Sequence, residues 1–198
     1  MKTAAIFSCL ALSAFGQPQR YTVGPSGEAR LELRVYKTGL YKGKVHLFVF
    51  PKYQGMLTYD PRAPQASQIS LSIAAADIQL MDTWLSAEDF KSVQEYAVKD
   101  MLEAARNPAI TFVSSPPRAV DGTHFESPGT LTIRGTAKPV TVTVSMQAGG
   151  AGTLRFEGKA TVKLTDFKLK PPSAALGLIG TRDEMDFSFV LAAAPGTP

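Results

Sequence analysis

The stretch G-T-L-T-I-R-G-T-A-K-P-V-T-V-T-V, from Gly129 to Val144, carries the clearest structural signal in this 198-residue sequence. Apolar residues alternate with polar ones around Leu131 and Ile133, and again along residues 140–144. Such a period of two, with many β-branched residues, is typical of strands with one buried and one solvated face. A short glycine-containing connection, Gly135 to Pro139, predicts an antiparallel hairpin whose apolar side chains face inward and whose threonines face water.

The same alternation recurs along most of the chain. It is clear at residues 31–35, 69–73, 154–164 and 187–191, and residues 45–50 are apolar except at His46. About eight short strands, separated by turn signals, predict a sandwich or a closed barrel.

One segment has the period of a helix instead. Ser86, followed by Glu88 and Asp89, is a plausible N-cap with acidic residues in the first turn, and Asn107-Pro108 ends the pattern. The apolar residues that share one helical face are Phe90, Val93, Ala97, Met101 and Ala104. We therefore expect one helix of about five turns, inserted between strands.

The N-terminal segment is typical of a secretory signal peptide. Lys2 precedes an apolar run, residues 4–12, and Ala14-Phe15-Gly16 places small residues at the expected cleavage spacing. This apolar run is too short to span a bilayer. We predict a signal peptide at residues 1–16, a single domain at residues 17–198, and a periplasmic or secreted protein.

Cysteine content and charge exclude several functional classes. The only cysteine, Cys9, lies in the predicted signal peptide, so the exported chain would lack disulfides, cysteine–zinc sites and cysteine nucleophiles. The net charge is +4, and the basic residues are scattered along the sequence. This distribution indicates a solvated surface and argues against nucleic-acid binding.

Catalytic motifs are nearly absent. The sequence has no Gly-x-Ser-x-Gly elbow, P-loop or dinucleotide fingerprint, and His46 and His124 are its only histidines. We therefore expect no enzyme, no metal and no cofactor. One alternative is an enzyme that acts on a small hydrophobic substrate with His46 or His124 as base. Another is an interaction module: an eight-stranded barrel is either filled by side chains or holds one small ligand, and the sequence leaves both open.

Several blocks resemble the YceI-like family, also called the lipid/polyisoprenoid-binding domain. These blocks are Tyr21-Thr22-Val23, G-M-L-T-Y-D at residues 55–60, N-P-A-I-T-F-V-S-S at residues 107–115, the stretch from Gly129, and Asp166-Phe167. They occur in the order expected and cover nearly all of residues 21–191. The family's Arg-Asp-x-His-Leu block reads Met81-Asp82-Thr83-Trp84-Leu85 here, without the arginine or the histidine.

The resemblance implies a mainly β fold, an eight-stranded antiparallel lipocalin-like barrel with a helix alongside. It also implies an exported carrier that holds an isoprenoid or similar long-chain lipid, such as a polyisoprenoid or a quinone-type lipid, with no stable membrane insertion. The residues that we expect to contact this ligand are Leu33, Val35, Phe48, Phe50, Ile73, Trp84, Phe112, Ile133, Val142, Phe156, Phe167 and Phe189. Of these, Trp84 and Phe167 are expected near a mouth of the barrel.

Overall fold

A computed structural model describes residues 18–196 of the chain. The predicted signal peptide lies outside the described residues. Within them the chain forms twelve strands: β1 (Gln19–Gly24), β2 (Arg30–Gly39), β3 (Val45–Val49), β4 (Tyr53–Tyr59), β5 (Gln68–Ala74), β6 (Gln79–Leu80), β7 (Ala109–Ser114), β8 (Arg118–Ala119), β9 (His124–Ile133), β10 (Thr136–Ala148), β11 (Leu154–Lys163) and β12 (Ile179–Pro195).

Eight of these strands close into a barrel. They are hydrogen-bonded in the order β1-β4-β5-β7-β9-β10-β11-β12, and β1 also pairs with the last part of β12. Every pair is antiparallel, which confirms the predicted eight-stranded antiparallel barrel. The earlier part of β12 pairs with β2, which continues the sheet through β3 and β6, and the short β8 pairs with β9.

The strand directions define two ends of the barrel. Residues 60–67, 115–123 and 149–153 connect strands at the end where β12 finishes, which we call the mouth end. Residues 40–44, 134–135 and 164–178 connect strands at the end where β12 begins, which we call the closed end.

The hairpin predicted from the opening stretch is β9–β10, but its turn is shorter than we predicted. Ile133 lies opposite Thr136, so only Arg134 and Gly135 connect the strands. Both have positive φ, 48° and 71°. This backbone conformation is typical of two-residue hairpin turns, whose twist matches the twist of the two strands that they connect. The prediction of a turn from Gly135 to Pro139 is therefore wrong, because Pro139 already lies within β10.

The predicted helix lies between β6 and β7. It consists of α1 (Ala87–Tyr96) and one π-helical stretch, Ala97–Met101. The backbone N–H of Asp89 donates to Ser86 Oγ over 3.1 Å, which confirms the predicted N-cap. Gln94 fixes the helix to the sheet, since its side chain accepts a hydrogen bond from Leu80 N and donates one to the Ile78 carbonyl.

The closed end of the barrel is filled by side chains. Large apolar residues from β2, β3, β9 and the segment after β11 are buried there in one continuous cluster with the remaining core. Phe167 is 1% exposed, and Phe50 stacks on Phe187 of β12 with ring centroids 6.4 Å apart. Space for a ligand is consequently restricted to the other half of the barrel.

Candidate functional site

A cavity of about 150 Å³ lies inside the mouth half of the barrel and is partly open to solvent. Side chains from β2, β4, β5, β7, β9, β10, β11 and β12 border it. The barrel of this protein is therefore filled at one end and hollow at the other.

The inward-facing side of the opening hairpin forms one wall of the cavity. Leu131, Val140, Val142 and Val144 border the cavity, and the alternation in the sequence explains why all four point the same way. Ile133 has the same orientation as Leu131, but it lies one pair nearer the closed end. There it is 2% exposed and packs in the core beneath the cavity.

The rim of the cavity comes from the loops of the mouth end and the strand ends beside them. Pro64 and Pro117 belong to these loops, and Phe125, Met146 and Tyr59 lie near strand ends. Neither proline was among the residues that we predicted as ligand contacts. Their role at the rim depends on which loops meet in space, and no local pattern reports this.

None of the residues at the border of the cavity is charged within the part of the chain that the structure describes. Ser114 Oγ accepts a hydrogen bond from the Ile69 backbone N–H over 2.9 Å, so this hydroxyl is already engaged. Ser67 Oγ is buried and has no hydrogen-bond partner within the described residues. Burial raises the pKa of the Tyr59 hydroxyl, which therefore stays neutral at physiological pH. Such a wall can select a ligand by shape and apolar area, with few directional contacts.

Five of the twelve residues that we predicted as ligand contacts border this cavity. They are Ile73, Phe112, Val142, Phe156 and Phe189. The other seven lie elsewhere, and these are Leu33, Val35, Phe48, Phe50, Trp84, Ile133 and Phe167. Strand alternation tells which side chains point inward, but not their height along the barrel axis. Contact of any of the twelve with a ligand remains a prediction.

Several bordering residues were absent from our prediction although alternation identifies them equally well. Leu31, Leu71 and Phe187 are in phase with neighbours that we did select, and Ala160 faces inward from β11. The small side chain of Ala160 leaves part of the barrel interior empty.

Trp84 and Phe167 lie at the closed end and not near the mouth, which corrects our expectation. Phe167 is buried in the core, in the connection between β11 and β12. The Trp84 indole donates a hydrogen bond from Nε1 to the Val45 carbonyl over 3.2 Å, and it stacks on His46 with centroids 5.3 Å apart.

His46, the first candidate base, forms a buried pair with Asp82. Its Nδ1 donates to Asp82 Oδ2 over 2.6 Å, and the other carboxylate oxygen accepts from the Leu47 backbone N–H over 2.9 Å. Burial lowers the pKa of His46, and the hydrogen bond to Asp82 opposes that shift. The pair joins β3 to the segment before α1, so the geometry supports a structural role.

His124, the second candidate base, is exposed at the mouth end. Its Nδ1 lies 2.9 Å from the Asp121 carboxylate, whose pKa is held well below its usual range by the Thr123 backbone N–H and by His124. Neither histidine borders the cavity. Between residues 18 and 196 no group of three or more His, Cys, Asp or Glu is placed to hold a metal ion. No helix in that part of the chain is long and apolar enough to cross a membrane.

Comparison with known sequences places these features in a family context. The model of the YceI-like domain matches residues 21–193. A UPF0312 protein of Pseudomonas aeruginosa is 32% identical over 126 residues, which is 61% of this chain and 62% of that protein. The alignment thus spans less than two thirds of that relative. Protein YceI of Escherichia coli O157:H7 is 28% identical over 66% of this chain and 69% of its own length.

Solved structures with the same fold include BcnA of Burkholderia cenocepacia. It has a TM-score of 0.66 and 25% identity, and the match covers 83% of this chain and 96% of BcnA. A polyisoprenoid-binding domain from Saccharophagus degradans has a TM-score of 0.62 with 14% identity, over 88% of this chain and 98% of that domain. At 14% identity, the similarity to the polyisoprenoid-binding domain shows only that the two proteins share a fold.

Proposed function

Because the chain belongs to the YceI-like family, we propose that it is an exported carrier of an isoprenoid or similar apolar chain. The observation that carries this proposal is the cavity, which has an apolar wall on all sides, a filled floor and an open mouth. The polyisoprenoid-binding domain with the same fold supports this choice of ligand class.

Burial of hydrocarbon is the main source of free energy for such binding. Each methylene group removed from water contributes about 0.8 kcal/mol. The five carbons of one isoprene unit inside the cavity therefore contribute about 4 kcal/mol, and further units covered by the apolar rim add to this without any ionic or hydrogen-bonded contact. This energy source suits a cavity whose border holds no charged residue.

The cavity volume limits how much of the ligand lies inside at one time. At about 150 Å³ it is as large as an engineered apolar cavity that holds one benzene molecule. We infer that the apolar end of the chain enters first and occupies the space above Phe50 and Phe187. The remainder of the chain leaves through the mouth.

A carrier function agrees better with the site than the two alternatives do. Both histidines lie outside the cavity, so a substrate inside it would meet neither candidate base. A module with a solid core would have no hollow mouth half. The proposed export rests on the segment at residues 1–16, with its apolar run and its small residues at the cleavage spacing.

A methyl NMR titration with farnesol, a prenol of three isoprene units, tests this function. We expect the methyl resonances of Leu131 and Val142 to shift, because these side chains border the cavity. The methyl resonances of Ile110 and Ile133 should stay nearly unchanged, because both residues are buried outside it. A short polyethylene glycol of similar length is the control, since it lacks the apolar surface. Absence of shifts with farnesol, or shifts confined to the closed end, would contradict the proposal.

A further inference from the structure

Two loops at the closed end bring four exposed apolar side chains together. Leu40 and Tyr41 come from the β2–β3 turn and are 73% and 42% exposed, and Leu176 and Leu178 precede β12 and are 107% and 59% exposed. A backbone hydrogen bond of 2.9 Å from Leu40 N to the Leu178 carbonyl joins the loops. We call these four residues the apolar tip.

The backbone holds the apolar tip in its outward position. Ala175, Leu176 and Gly177 all have positive φ, of 49°, 54° and 90°, and a bridge between Ala174 and Ile179 closes the loop around them. Two successive non-glycine residues in the left-handed region are costly for a chain. Leu176 points away from the barrel and lies outside the core.

Basic residues flank the apolar tip in the two segments that carry it. The two segments that carry it, residues 37–44 and 164–182, contain six basic residues and one acidic residue, whereas the whole chain has 21 basic and 17 acidic residues. The basic residues are Lys37, Lys42, Lys44, Lys168, Lys170 and Arg182. They are far apart in sequence, and the pairing of β2 with β12 brings the two segments together. Six basic residues that are far apart in sequence therefore lie in two segments that the fold joins.

Contacts within this region keep part of the positive charge in place. Lys44 Nζ lies 5.5 Å from the centre of the Trp84 ring, which also packs against Tyr41 with centroids 5.6 Å apart. Arg182 lies over the Tyr36 ring at 5.6 Å. Lys42, Lys168 and Lys170 are exposed to solvent.

We propose that the apolar tip and the basic residues that flank it dock the protein reversibly on the surface of an anionic lipid bilayer. The leucines would enter the boundary between headgroups and acyl chains, while the lysines would lie among the lipid phosphates. A small protruding apolar group with exposed lysines in the same segments fits this partner. A second copy of the chain fits poorly, because a twofold contact would bring both sets of six basic residues face to face.

Docking at this surface is separate from ligand binding in the cavity. The apolar tip lies at the closed end, and the rim of the cavity lies at the mouth end. The mouth of a docked molecule therefore points away from the bilayer and stays accessible. The docking proposal therefore does not depend on which ligand the cavity binds.

Sedimentation with lipid vesicles tests the docking. We compare vesicles of phosphatidylcholine alone with vesicles in which half of the lipid is phosphatidylglycerol. One basic residue near an anionic surface changes binding about fivefold, so Lys42→Gln/Lys170→Gln should lower the partition coefficient on anionic vesicles about thirtyfold. Leu40→Ser/Leu176→Ser should lower it at least tenfold, because two inserted side chains are lost.

Matched variants away from the apolar tip serve as controls. Met56→Ser/Val120→Ser removes exposed apolar residues elsewhere, and Lys91→Gln/Lys159→Gln removes the same charge from other surfaces. Both control variants should bind anionic vesicles as the unmodified protein does. All variants keep the same N-terminal segment, so any contribution of that segment to vesicle binding is the same in every protein compared.

Three results would overturn the docking proposal. The first is equal binding to neutral and anionic vesicles, and the second is equal loss of binding in the tip and control variants. The third is a change of oligomeric state in the tip variants, measured by sedimentation velocity, without a change in vesicle binding. That last outcome would assign the apolar tip to contact with a second copy.

Discussion

Ala160→Phe is expected to weaken ligand binding at least about 100-fold while the barrel stays folded. Ala160 faces the cavity from β11, opposite Phe187 on β12. A phenyl ring attached there occupies a space of benzene size, so the apolar end of the ligand loses its place. Exclusion of about four methylene groups removes roughly 3 kcal/mol of binding free energy, which corresponds to a factor of about 100.

The stability of Ala160→Phe should change little, because the ring enters existing space and any overpacking costs at most about 1–3 kcal/mol. Thr141→Phe is the matched control: Thr141 is exposed on the outer side of β10, beside the inward-facing Val142. Isothermal titration calorimetry with a prenol should give this control the same affinity as the unmodified protein. An Ala160→Phe protein that is folded and binds as tightly as the unmodified protein would mean that the ligand binds outside the cavity.

Asp82→Ala is expected to lower the free energy of unfolding by about 3 kcal/mol. The Asp82 side chain is 1% exposed and accepts hydrogen bonds from both His46 Nδ1 and Leu47 N. Without the carboxylate, two buried donors have no acceptor, and each such loss costs about 1–3 kcal/mol. Urea denaturation measures the change, and a loss below about 0.5 kcal/mol, the range of ordinary surface substitutions, would contradict this role of the pair.

The same pair predicts how stability depends on pH. The pKa of His46 in the folded protein is lowered, mainly by burial, relative to its ordinary value of about 6.5. As the pH falls below about 6.5, the unfolded chain binds a proton that the folded protein does not, so the free energy of unfolding decreases. This contribution is fully present above about pH 6.5 and is lost as the pH falls through the folded-state pKa of His46.

Two variants separate His46 from the other titrating groups. His46→Asn keeps a donor near Asp82 but does not titrate, so its stability should be flat between about pH 7 and pH 5.5, where most carboxylates stay ionised. Asp82→Ala removes the contact that raises the pKa of His46, so that pKa is lowered further. The free energy of unfolding of this variant should therefore continue to decrease down to a lower pH than in the unmodified protein. If the free energy of unfolding of the unmodified protein varies with pH as little as that of His46→Asn, the pKa of His46 is not lowered in the folded protein.

Local patterns in the sequence predict the strands and the inner face of the barrel. Leu131, Val140 and Val142 point inward because apolar residues alternate with threonines, and Ser86 begins the helix because its side chain caps it. These features depend on neighbours within a few residues. The length of the β9–β10 turn was missed because Pro139 reads as a turn residue, whereas the register of the pair places it inside β10.

Features that depend on distant parts of the chain could not be predicted in the same way. The height at which the core ends and the cavity begins depends on how Phe50 and Phe187 meet, and they are far apart in sequence. The His46–Asp82 pair joins residues 36 positions apart, and no spacing rule signals it. The segments that carry the basic residues beside the apolar tip likewise come together only because β2 pairs with β12.

Native mass spectrometry of the protein, purified without detergent from the cells that produce it, tests the carrier proposal most directly. The account predicts a species heavier than the polypeptide by the mass of one apolar lipid, and predicts that this added mass is absent from Ala160→Phe. If the unmodified protein shows only its polypeptide mass, even after incubation with prenyl quinones, the proposal that the cavity carries an isoprenoid chain is contradicted.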